Sequence, residues 1–141
     1  MTITEEPSAT LERGTEIPML TKTPSPMQLF MFSASTWNRH LIHYSSEFAA
    51  RDGFQHIAVH RALIGSYLAQ MLSNWIGDRG FVKKVSWSVR GSAIPGEPIK
   101  CGGKVVETRI ERGQRCVECE IWAKNVNDDV LVPGTATIAL F

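Results

Sequence analysis

The chain has 141 residues, enough for one domain with a sizeable core. It is 43% hydrophobic and 21% charged, with 15 Lys+Arg against 14 Asp+Glu and a formal net charge of +1. That balance excludes disorder along the whole chain, and it excludes a dedicated nucleic-acid binder, which needs a basic face to neutralise phosphates.

Residues 1–27 hold four of the seven prolines (Pro7, Pro18, Pro24 and Pro26) and show no helical period, so they read as an extended arm. The start, MTITEEPSATLERG, is acidic and lacks the apolar stretch of a signal peptide. The run 28–34 (QLFMFSA) is largely apolar and fits a strand. Residues 37–44 have loop composition. Residues 45–53 read as a short helix, capped by Ser45 or Ser46 and ended by Gly53. From His56 to Ile76, apolar residues such as Leu63, Tyr67, Leu68 and Met71 recur at spacings of three and four. The polar side is thin, so this helix is expected to be nearly surrounded by protein. Four strand patterns follow, at 81–92, 99–110, 114–126 and 130–141, separated by turn chemistry at Pro95-Gly96, Arg112-Gly113 and Asn127-Asp128-Asp129. No stretch of about 18 apolar residues suggests a membrane span. One long helix against one antiparallel sheet is an α+β layer solution, and the open sheet with little net charge favours self-association.

Cys101, Cys116 and Cys119 are an odd set in a chain without secretory features, so they read as free thiols in a reducing, cytoplasmic setting. The Cys116-Val117-Glu118-Cys119 spacing falls inside an alternating strand pattern. It lacks the second ligand pair of a structural zinc site and the strand-to-helix turn of a redox motif. All four histidines lie between positions 40 and 60: His40, His43, His56 and His60. Histidine is the side chain best poised for proton transfer near neutral pH. No HExxH-type spacing is present, so no metal is expected.

The string Asn38-Arg39-His40-Leu41-Ile42-His43-Tyr44, followed by Ala49-Ala50-Arg51-Asp52-Gly53-Phe54 and Ile57-Ala58-Val59-His60, resembles the MaoC-like branch of the hot-dog fold. That branch holds the (R)-specific enoyl-CoA hydratases and acyl dehydratases. The resemblance runs from about Glu12 to the C-terminus and implies one MaoC-like hot-dog domain over 28–141, a long central helix wrapped by a curved antiparallel sheet. It also implies a hydratase or dehydratase acting across the 2,3 double bond of an enoyl-CoA thioester. In the family an Asp and a His of the motif hold a water above that bond. The His position here is His43 and the Asp position is Asn38. The family's His-Gly pair, which gives a backbone N–H to the thioester oxygen, is His60-Arg61 here, and the acidic residue after the motif's tyrosine is Ser45.

Hydration of an α,β-unsaturated thioester needs a base for water, an acid for the α-carbon and donors for the enolate oxygen. His43 and Asn38 are therefore the expected catalytic pair, with Asn38 orienting the water because an amide cannot act as the base. His40, Tyr44, His60 and Arg61 are the expected substrate contacts. Arg61 near a helix N-terminus opposes the dipole, which suits a phosphate or carboxylate partner. No dissolved cofactor is expected, because the acyl-CoA substrate carries its own electron sink. A homodimer or a hetero-oligomer with another hot-dog subunit is expected. The alternative is a non-catalytic subunit that shapes the acyl pocket of a partner. A thioesterase fits least, since no Asp or Glu lies between Ile57 and Trp75.

Overall fold

The structure, a computed structural model, describes residues 11–141. The outer part of the expected arm, residues 1–10, lies outside the described residues. Residues within the inner part form a strand, β1 (Glu16–Lys22), which pairs antiparallel with β3 (Ile99–Glu111). Strands β2 (Gly80–Trp87), β4 (Gln114–Lys124) and β5 (Val130–Leu140) complete one antiparallel sheet in the order β1-β3-β4-β5-β2. The four strand patterns in the second half of the chain are thus all present, and β1 adds a fifth.

The apolar run 28–34 is a helix, not a strand. Helix α1 spans Pro26–Thr36. Ser25 caps it, its hydroxyl oxygen accepting from the Gln28 N–H at 3.1 Å, and Pro26 at the first turn presets the helical φ. Trp37, in the left-handed region at φ 58°, ends it. The Asn38 N–H then turns back to the Ser33 carbonyl at 2.9 Å. Leu29 and Ser33, four residues apart, make the buried face of α1. A second short helix, α2 (Ser46–Arg51), is capped by Ser45, as its composition suggests.

The long helix, α3, covers Arg61–Ile76, so it begins five residues later than its apolar period suggests. Residues 57–60 are held out of the helix by lateral bonds. The Ala58 N–H donates to the Ile42 carbonyl at 2.9 Å, and the Ala58 carbonyl accepts from His43. His60 is the N-cap at φ −61° and ψ 133°. Leu63, Ile64, Tyr67, Leu68, Met71, Leu72 and Ile76 of α3 are buried. They pack against Ile17, Ile99, Val105, Ile121, Val132 and Ile138 from the sheet. Each such side chain contributes about 1.5–3 kcal/mol on burial, so this helix–sheet layer dominates the stability. No helix among the described residues is long and apolar enough to cross a membrane.

Candidate active site

Three short pieces of backbone converge at the N-terminus of α3: the C-terminal end of α1, the 3-10 turn Leu41–His43, and the extended segment before His60. The α1 cap fixes Asn38. Its side-chain oxygen accepts from the His40 N–H at 3.3 Å, which turns the amide nitrogen toward His43, 3.5 Å from Nε2. His43 is buried, and its Nδ1 lies 2.7 Å from the Ala58 carbonyl oxygen. A carbonyl only accepts, so Nδ1 carries a proton and Nε2 is the ring position available for proton exchange. At 3.5 Å the Asn38 contact is too long to engage Nε2 strongly. The arrangement is a fixed imidazole whose Nε2 is held only by a long contact with a neutral amide.

His60 stacks on His43 with ring centroids 3.7 Å apart and an interplanar angle of 16°. Its Nε2 meets the Ser33 hydroxyl at 2.7 Å, and Phe32 packs edge-on at 4.8 Å. Nδ1 of His60 is buried with no hydrogen-bond partner among the described residues. Burial, with the neighbouring His43 adding to it, pushes the His60 imidazole down to about 4, so this ring is neutral at pH 7. One face of His43 is thereby covered by an uncharged ring that cannot compete for the proton.

The pair opens onto a cleft of about 770 Å³ lined by Asn38, His43, His60, Arg61, Ala62 and Ile64 on one side and by Val85, Trp87 and Val89 on the other. Arg61 and Ala62 supply the first N–H groups of α3, which no turn of the helix satisfies and which carry its positive end. Donors for an anionic oxygen, a base and an apolar wall therefore share one cavity. A smaller cavity of about 270 Å³, reached past Phe54 and Ala58, holds His56.

Of the residues singled out from sequence, Asn38, His43, His60 and Arg61 come together at the cleft. Tyr44 does not line it; this exposed ring bonds the Arg39 carbonyl at 3.0 Å. His40 is exposed as well, its Nδ1 accepting from the Ile42 N–H at 3.3 Å at the cap of the 3-10 turn. Ser33, the Ala58 carbonyl and Trp87 went unnoticed in the sequence, since each meets the site across a long chain separation. No three His, Cys, Asp or Glu side chains converge as metal ligands among the described residues. Cys116 and Cys119 sit three positions apart on β4, roughly 10 Å along a strand, too far for a disulfide. Burial pushes the Cys101 and Cys119 thiols up to about 12.

Solved structures of the same fold cover nearly the whole chain. An (R)-hydratase from A. caviae involved in PHA biosynthesis superposes with a TM-score of 0.83 at 20% identity, over 94% of this chain and 98% of that one. The ChsH1–ChsH2 complex from Mycobacterium tuberculosis gives a TM-score of 0.80 at 15% identity, over 92% of this chain and 98% of that one. A MaoC-like dehydratase from Rhodospirillum rubrum gives 0.82 at 14% identity, over 93% of each chain. No curated protein matches the sequence. The profile of hydroxyacyl-thioester dehydratase type 2 matches residues 3–91, and with this MaoC-like hot-dog fold around the matched motif, the chain belongs to the hydroxyacyl-thioester dehydratase type 2 family.

Proposed function

We propose that the chain hydrates the 2,3 double bond of an enoyl-CoA thioester, or dehydrates the corresponding 3-hydroxyacyl thioester. The observation that carries this reading is the His43 ring, held through Nδ1 on the Ala58 carbonyl with Nε2 in long contact with Asn38 at the mouth of the cleft. In the hydration direction, Asn38 orients a water and His43 Nε2 removes one of its protons. The water oxygen bonds to C3, and the π electrons move toward the thioester oxygen. The N–H groups of Arg61 and Ala62 stabilise that enolate oxygen. His43 then returns the proton to C2. Dehydration runs the same steps backwards, and neither direction calls for a dissolved cofactor. The Arg61 side chain is exposed and takes part in none of the ion pairs among the described residues, which suits contact with a CoA phosphate. His40 and Tyr44, outside the cleft, would meet the substrate only at its rim. Three free thiols support a cytoplasmic setting.

A panel of enoyl-CoA thioesters, followed by loss of the enoyl absorbance, tests the activity. His43→Ala is expected to lower it by at least about 10²-fold, the usual worth of a general acid–base group, with the circular dichroism spectrum unchanged. One specific observation favours a second reading. Asn38 cannot ionise, so the chain fits a supporting subunit that shapes the acyl pocket of a partner hot-dog protein. Activity seen only with a partner, and unaffected by His43→Ala in that complex, would select this second reading.

A further inference from the structure

Trp87 is the last residue of β2, and its indole stands in the same cleft as His43. Two glycines make room for it. Across the β2–β5 ladder it pairs with Gly134, where an added Cβ would come within 3.3 Å of the Trp87 Cβ and 2.5 Å of the Ser86 carbonyl oxygen. On the helix it faces Gly65, a buried residue in the second turn of α3. A Cβ at Gly65 would lie 2.2 Å from Cζ2 and 2.6 Å from Cη2 of the ring. The six-membered ring therefore rests on bare helix backbone, closer than any other residue at position 65 would allow. A helix rises 1.5 Å per residue, so Gly65 stands about 6 Å along α3 from Arg61. A thioester anchored at the helix N-terminus beside His43, with its acyl chain laid along α3, meets the indole about one turn later.

We propose that Trp87, seated on Gly65, is the stop that sets acyl length, restricting the site to thioesters with a short acyl chain. This rests on the reading of the cleft as an acyl-thioester site. The wall is rigid because the ring is seated on the α3 backbone at Gly65, packed against the core and carried by a strand, not hung on a loop. In a hydrophobic pocket, one methylene accepted or rejected is worth about 10–200-fold, so a wall in this place is enough to define a length class.

The test is a binding ladder of saturated thioesters, butanoyl-, octanoyl- and dodecanoyl-CoA, measured by titration calorimetry on the full chain. Saturated thioesters cannot be hydrated, so the ladder is independent of turnover. In the wild type, affinity should stop rising beyond the short acyl group. In Trp87→Ala the ratio of dodecanoyl to butanoyl affinity should rise at least tenfold, and in Trp87→Leu by a smaller factor. Gly65→Ala drives the ring off the helix into the cleft and should lower that ratio. Circular dichroism identifies a variant that fails to fold, in which case the other two decide. A wild-type affinity that keeps climbing with length, or folded variants in which every acyl length changes by the same factor, overturns the stop. Wild-type chain that shows the ladder but hydrates no enoyl thioester defeats the proposed activity and leaves the stop standing. Failure to bind any acyl-CoA overturns both.

Discussion

At the scale of single residues, the site is defined by what cannot carry charge. Asn38 is a neutral amide, and His60 is held neutral by burial beside His43. Replacing Asn38 by Asp supplies a second ionisable group 3.5 Å from His43 Nε2. Asn38→Asp should keep or raise hydration activity and add a second limb to the pH–rate profile. A tenfold loss with intact folding would contradict the role given to position 38. The depressed pKa of His60 has a consequence for stability, with a definite sign. Between 6.5 and about 4 the unfolded chain binds a proton at this position that the folded chain does not. The stability it allows is present above the unfolded pKa and is lost as pH falls from 6.5 toward 4. The melting temperature of the wild type should therefore fall across that window, and His60→Gln, which does not titrate, should fall less steeply.

Among the elements, α1 shows how far local signals reach. Its largely apolar run 28–34 fits a strand or a buried helix equally, and periodicity cannot separate the two. The arbitrating signal lay one step earlier, in Ser25-Pro26, a capping side chain followed by a residue preset for the first helical turn. Ser25→Ala should destabilise the protein by about 1 kcal/mol, read from chemical denaturation. Because α1 also carries Ser33 and leads into Asn38, the same variant should weaken activity more than its small cost implies. The start of α3 departs from its apolar period for a different reason. Ile57 and Val59 continue the apolar pattern, but the bonds that unwind them go to Ile42 and His43, 15 residues away for the His43–Ala58 pair. Such a competitor is invisible to a window of neighbouring residues. The strands β2 to β5 were legible because alternation and turn residues are both local. Strand β1 was hidden by Pro18, which an edge strand tolerates.

For the molecule as a whole, the motif located Asn38 and His43, and the fold added their supports. Ser33 reaches His60 across 27 positions, and Trp87 reaches Gly65 from the edge strand β2. Exposed apolar side chains remain on α1 and just beyond it, with Met27, Phe30, Met31 and Trp37 each more than half exposed. With a net charge of +1, little repulsion opposes association. Sedimentation at micromolar concentration should find a dimer or a larger even-numbered assembly, or a complex once a hot-dog partner is supplied. A stable monomer under both conditions would count against the assembly.

The strand order also fixes what the chain meets while it is being made. Helix α3 is translated before every strand that wraps it except β1, and β1 itself waits for β3 to pair. At about 5–20 residues per second, synthesis of residues 77–140 occupies roughly 3–13 s, whereas a helix forms in about a microsecond. For that interval the apolar helix has only β1 and α1, made ahead of it, to pack against. Sheet closure is thus left to the end of synthesis, when β5 arrives to join β4 to β2.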